Sequence, residues 1–315
     1  MKTFLWAAAL IALAAGAAPA QTPPEARWLT ASSDRNPTVS PGGDKVMFQS
    51  NRSGRGALYV RGSEGGPVTL FLDSGDNPTY PDWSPDGRRI VYVAEVDGQE
   101  ELFVVNADGT GRRRVTDHPA REGHPHWSAD GQRIFFNSAR PTPDLSVDED
   151  EHLIDIYSIR ADGSDLRRHT DCGGECSYPT PSPDGRRFVY RKVVREPGLT
   201  GAMAAAPINS EVVVVDLATG VETNLTGHPA YDVYPTWSAD GRFVYFSSNR
   251  AGPPGTLHLW RVPAAGGAAE RLSSGPWSHR QAVASRDGRK IYAFTYQRHG
   301  GADVGFIGVF DVPPG

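Results

Sequence analysis

Sulfur is scarce in this chain: 315 residues contain two cysteines and three methionines. Two thiols alone are too few ligands for a structural zinc site. The pair, Cys172 and Cys176, sits in Cys-Gly-Gly-Glu-Cys. In an oxidising compartment such a pair closes a small disulfide loop, and two free thiols are the alternative. A basic excess is missing as well, with 32 Lys and Arg against 37 Asp and Glu. That balance leaves no footprint for nucleic acid, and the largest basic run, Arg112 to Arg114, reads as a solvated outer strand. Catalytic signatures are absent too: the sequence has no Gly-x-Ser-x-Gly elbow, no His-Glu-x-x-His and no Gly-rich phosphate loop.

A long apolar run occurs at the front. Lys2 gives a charged start, Phe4 to Ala15 an apolar stretch, and Ala18-Pro19-Ala20 a small-residue cleavage site. The run is shorter than the ~20 residues that span a bilayer, and no cysteine lies nearby for lipidation. Residues 1–20 therefore read as a secretory signal and residues 21–315 as one mature domain, periplasmic or secreted, monomeric and without a transmembrane segment. Removing Lys2 with the signal leaves 31 basic against 37 acidic residues, a formal charge of −6.

What is abundant is repetition. A Ser, a variable residue, usually Asp, then Gly recurs six times, at Ser40, Ser84, Ser128, Ser182, Ser238 and Ser285, with spacings of 44, 44, 54, 56 and 47 residues. Asp can bond its own backbone and Gly can take positive φ, so each copy is a tight reversal. An apolar run follows each, such as Arg89-Ile-Val-Tyr92 or Arg187-Phe-Val-Tyr190, and then a second one, such as Glu101-Leu-Phe-Val-Val105. A glycine-bearing turn and a last short strand ending in Leu-Thr or similar complete the unit, as in Asn224-Leu-Thr226. Four strands per unit at this period are the mark of propeller blades. The fold class is all-β, a six-bladed propeller. The sixth unit lacks its last strand, and Arg27-Trp28-Leu29-Thr30 has the matching pattern, so the amino terminus should complete the final blade and remove an open edge.

The pattern Pro-x-Trp-Ser-Pro-Asp-Gly at Pro81 to Gly87, with Ser-x-Arg after the second strand (Ser50-Asn51-Arg52, Ser248-Asn249-Arg250), resembles the TolB-type six-bladed propeller family. The resemblance covers nearly all of the expected mature chain. It implies the fold, whereas the same blades serve partner-binding modules, front domains of prolyl-oligopeptidase-like enzymes and some oligogalacturonate lyases. The separate amino-terminal α/β domain of TolB itself has no counterpart ahead of the first unit.

In a four-stranded blade, the connection leading into the first strand and the loop between strands two and three share one face of the disc. The Ser-x-Asp-Gly turns take the other. Aligning the units on Ser places Asn36, Tyr80, His124, Tyr178, Tyr234 and Gln281 in a ring at the channel mouth. Two residues on, by strand alternation, come Thr38, Asp82, His126, Thr180, Thr236 and Val283. The predicted ligand-binding set is Asn36, Tyr80, Asp82, His124, His126, Tyr178, Tyr234 and Gln281, a mix suited to orienting a ligand. Asp34, Glu122 and Asp232, two residues upstream of the mouth positions, match the family's Asp-x-x-Pro and read as structural acids. Two insertions fall on the same face: an acidic one, Pro141 to Leu153, read as a solvated loop, and an apolar lip, Arg195 to Ser210.

These residues point to a binding module for a protein, peptide or glycan, with no catalytic residue and no cofactor. The alternative is a metal-assisted lyase or hydrolase on acidic sugars, with a divalent metal at His124 and His126 completed by His118, His228 or Asp82.

Overall fold

The structure is a computed structural model and describes residues 27–28, 34–148, 151–194, 209–252, 255–299 and 302–313. The expected signal segment, most of the apolar lip, and Glu149 and Asp150 of the acidic insertion lie outside these residues. Among the described residues, twenty-four strands form six antiparallel sheets of four. Blade 1 is β2 (Asp34–Val39), β3 (Lys45–Ser50), β4 (Ala57–Gly62) and β5 (Gly65–Leu72). Blade 2 is β6 (Thr79–Trp83), β7 (Arg89–Val96), β8 (Gln99–Asn106) and β9 (Arg113–Arg114). Blade 3 is β10 (Glu122–Trp127), β11 (Arg133–Ser138), β12 (Asp155–Arg160) and β13 (Arg167–Arg168). Blade 4 is β14 (Cys176–Pro181), β15 (Arg187–Val193), β16 (Ser210–Asp216) and β17 (Glu222–Asn224). Blade 5 is β18 (Asp232–Trp237), β19 (Phe243–Ser248), β20 (His258–Pro263) and β21 (Glu270–Arg271). Blade 6 is β22 (Ser278–Ala284), β23 (Lys290–His299) and β24 (Ala302–Asp311), with β1 (Arg27–Trp28) as its outer strand.

The closure expected from the missing last strand is present. Arg27 pairs with Val309 and Trp28 with Gly308, so both ends of the chain share one sheet. The amino-terminal strand thereby covers the free edge of β24.

The second and third strands of each blade read as unbroken apolar runs because both faces are buried. Alternate residues face opposite neighbours. Val46 and Phe48 pack with Tyr292, Ile307 and Val309 of blade 6, whereas Met47 packs with Ile90 and Tyr92 of blade 2. Six apolar clusters result, each spanning the seam between two adjacent blades. The ring is thus held by inter-blade cores, the arrangement in which a repeat cannot bury its faces alone.

The recurring turns sit on the face opposite the mouth. In blade 2, Ser84 Oγ donates to Asp86 at 2.6 Å and accepts Arg89 N–H at 2.9 Å, while Asp86 accepts Arg88 N–H at 3.0 Å. Gly87 takes φ +70°, and a β-carbon placed on it would touch Pro41 Cδ of the preceding blade's turn at 3.8 Å. One tetrapeptide therefore closes its hairpin and abuts its neighbour. The three acids read as structural are so engaged: Asp34 pairs with Arg52 at 2.7 Å, Glu122 with Arg140 at 2.8 Å and Asp232 with Arg250 at 2.5 Å. These arginines are those of the Ser-x-Arg pattern.

Candidate functional site

Each innermost strand carries one extra residue. In β2 the pairing jumps from Arg35↔Gln49 to Thr38↔Met47, so Asn36 and Pro37 together oppose Phe48. The same step occurs at Tyr80-Pro81, His124-Pro125, Tyr178-Pro179, Tyr234-Pro235 and Gln281-Ala282. Proline suits the second bulge position, where no ladder donor is needed. The first position has φ between 49° and 57° in all six blades, although none of the six is glycine. Non-glycine residues rarely occupy this region, and six equivalent ones form a built feature of the ring.

The bulges place the six predicted mouth residues in one cavity of about 80 Å³, together with Pro37, Pro81, Pro125 and Pro235. The aromatic members form a continuous arc over four blades. Tyr80 and His124 have ring centres 4.1 Å apart, His124 and Tyr178 4.1 Å, and Tyr178 and Tyr234 4.5 Å. Asn36 and Gln281, from blades 1 and 6, close the ring with amides.

Simple alternation predicted that the residues two positions on would face the same way; the extra residue breaks that alternation. His126, Thr180, Thr236 and Val283 still line the cavity. Asp82 instead ties blade 2 to both neighbours. Its carboxylate accepts the Thr38 hydroxyl at 3.2 Å and the Trp127 backbone N–H at 2.9 Å, and lies 3.5 Å from His126 Nδ1. Thr180 likewise donates across a seam, to the Pro235 carbonyl at 2.9 Å.

Behind the ring stands a row of supporting side chains that the sequence alignment did not single out. Gln49 accepts from Asn36 Nδ2 at 3.1 Å and from Thr79 of the next blade at 2.8 Å. Asn137 Oδ1 bonds His124 Nδ1 at 2.9 Å and accepts the Tyr178 N–H of the next blade at 3.4 Å. Arg191, with a side chain only 2% exposed, pairs with Glu175 at 2.9 Å and lies over the rings of Tyr178 and Tyr231. The three occupy matching positions on the second strands, opposite the residue before each bulge. Their signal in sequence is a polar residue inside an apolar run, such as Arg191 after Phe188-Val-Tyr190.

Burial sets the protonation of three ring members, His124, Tyr80 and Tyr178. Loss of hydration lowers the His124 pKa to about 3, with the Asn137 hydrogen bond opposing the shift, so its imidazole is neutral at physiological pH. Burial also raises the phenols of Tyr80 and Tyr178.

Cys172 and Cys176 are disulfide-bonded, with Cα atoms 6.2 Å apart, and the loop they close leads directly into β14. Asp155 accepts the Cys172 N–H at 3.0 Å. Among the described residues, Asp155 with these two cysteines is the group of three potential metal ligands within mutual reach, and its sulfurs are bonded to each other. His124 and His126 do not gather a third ligand there, and His118 is engaged by the Ala120 N–H at 3.0 Å.

The family model of the TolB β-propeller domain (PD40) matches residues 73–206. An uncharacterised protein of Agrobacterium fabrum is 30% identical over 115 residues, which is 36% of this chain and 34% of that protein. The match thus spans about a third of the relative's length. Among solved structures, TolB of Acinetobacter baumannii superposes with a TM-score of 0.63 at 17% identity, over 89% of this chain and 63% of the other. An oligogalacturonate lyase in complex with manganese gives 0.59 at 14% identity, over 93% and 94%. At such identities the superpositions speak for the fold alone. The six four-stranded blades make the chain a six-bladed β-propeller, and its stretch 73–206 is similar to the TolB β-propeller domain.

Proposed function

We propose that this propeller is an exported binding module whose channel mouth receives a projecting segment of a protein partner. The observation that carries the reading is the ring of six bulges, each holding a non-glycine residue at positive φ. Such conformations cost of order 1 kcal/mol or more each and concentrate where a ligand is held. Four of the six residues form a continuous aromatic arc, and aromatic anchors dominate binding surfaces. The cavity of about 80 Å³ is far smaller than the ~300–1,000 Å³ of a pocket that engulfs a small molecule. It matches the tip of a side chain better than a whole sugar ring, which favours polypeptide over glycan.

The test is affinity capture with crosslinking from the exported fraction, using wild type and a Tyr178→Ala, Tyr234→Ala double variant whose melting is checked first. A partner crosslinked to the wild-type mouth and lost from the variant supports the reading. A partner retained equally by both places binding elsewhere and overturns it. The competing reading, a metal-assisted sugar lyase, requires stoichiometric divalent metal in the purified protein and unsaturated products from pectate.

A further inference from the structure

Two of the six mouth residues end in hydrogen-bond acceptors that nothing satisfies. His124 Nε2 and Asn36 Oδ1 are both sealed from solvent and have no partner among the described residues. Their other polar atoms are fully used. Asn36 Nδ2 donates to Gln49 at 3.1 Å and to Thr79 at 2.7 Å.

The tautomer of His124 follows from its neighbour. The Tyr178 backbone N–H points at Asn137 Oδ1, so that atom must be an acceptor, and His124 Nδ1, 2.9 Å from it, must carry the proton. A neutral imidazole protonated at Nδ1 has a bare lone pair at Nε2. Asn36 Oδ1 is an acceptor by constitution. Tyr80, from the intervening blade, stands between the two in the ring, with its ring centre 4.1 Å from that of His124.

A buried acceptor without a donor costs roughly 1–3 kcal/mol, and a donor brought in by a ligand would recover that cost. Here the two flank one aromatic side chain, Tyr80, on the same six-membered ring. Resting on the reading of the mouth as a binding site, we infer that His124 and Asn36 form a donor-specific subsite that takes an uncharged N–H or O–H group from the partner's inserted side chain, with a primary amide as the best match. The amide has two hydrogens for two acceptors. The new hydrogen bonds offset the cost of the two orphaned atoms.

Charge decides against the other donors and acceptors. A carboxylate brings lone pairs against lone pairs. An ammonium brings hydrogens, but it enters a ring whose imidazole already feels the positive fields of Arg121 and Arg191, the latter lying over Tyr178. Selectivity for a hydrogen-bonding group is strong where the site's own buried polar atoms are otherwise left unpaired.

The test uses the whole mature protein labelled with nitrogen-15 at histidine, titrated separately with propionamide, propionate and propylammonium. In the free protein at neutral pH, His124 shows a protonated Nδ1 and an unprotonated Nε2. Propionamide moves the Nε2 resonance at tens of millimolar, with an affinity at least several-fold better than that of either charged analogue. The signal is assigned by its loss in His124→Asn. Should that variant not fold, Asn137→Asp, which keeps an acceptor on Nδ1, identifies the same resonance by its raised titration. An Nε2-protonated tautomer overturns the inference, as does an equal or stronger response to either ion, or no response to propionamide. Such a failure, with a partner still crosslinked at Tyr178 or Tyr234, removes the subsite and leaves the binding module standing.

Discussion

Asp82 of blade 2 accepts the backbone N–H of Trp127 in blade 3 at 2.9 Å, so one carboxylate fixes the inner strand of its neighbour. The same carboxylate receives the Thr38 hydroxyl from blade 1. Asp82→Ala strands the Trp127 N–H in a buried seam, and a loss of about 1–3 kcal/mol is expected. Asp82→Asn keeps an acceptor and should lose less than half as much. Urea unfolding of the two variants beside wild type checks the order, and equal losses would show that the bond to Trp127 contributes nothing.

Acid should weaken the fold in two stages. Burial lowers the folded pKa of His279 to about 3 and of His258 to about 4, from 6.5. Between those values and 6.5 the unfolded chain binds the proton and the folded chain does not, so stability is full above 6.5 and falls as pH drops toward 4. Each histidine contributes up to about 1.4 kcal/mol per pH unit in that window. The turn carboxylates Asp86, Asp130, Asp184, Asp240 and Asp287 are held below 3.8, first by the serine hydroxyl of their own turn. Their contribution is present above 3.8 and is lost below it. Melting temperatures from pH 8 to 3 test the first stage, and His279→Asn should flatten it by one proton's slope.

The ion pair between Arg191 and Glu175 supports Tyr178 from behind. Glu175→Gln leaves a buried guanidinium without its counter-charge, which is expected to cost about 3–5 kcal/mol. Adding Arg191→Met removes the orphaned charge and should restore more than half of the loss. Chemical denaturation of both single variants and the double variant measures the coupling. A double variant no more stable than Glu175→Gln alone would assign the loss to the disulfide loop that holds Glu175 rather than to its charge.

Removal of residues 21–30 uncovers the outer edge of β24, which pairs with Arg27 and Trp28. An exposed edge is a template for pairing with another chain. The shortened protein should melt lower and show concentration-dependent association by light scattering, whereas a monodisperse monomer of unchanged melting temperature would make β1 dispensable.

The residues dictated the blade count, the face carrying the mouth and the strand that closes the ring. These rest on local rules: turn chemistry at Ser84-Pro-Asp-Gly87, apolar runs long enough for a strand, and an outer strand missing at one end and present at the other. The ring of mouth residues was legible because six copies share one register, so alignment on serine was alignment in space. What alternation could not supply was the bulge. An extra residue in β10 shows only as a one-step jump in pairing against β11, and pairing is a property of two strands. The partners of His124 were out of reach for the same reason. Asn137 and Tyr178 lie 13 and 54 residues from it, in its own blade and the next, and only the closed ring brings the three together. The sequence by itself determined which side chains reach the mouth. The tertiary structure decided which of their atoms are left without a partner, because hydrogen bonds across a seam depend on how neighbouring blades pack.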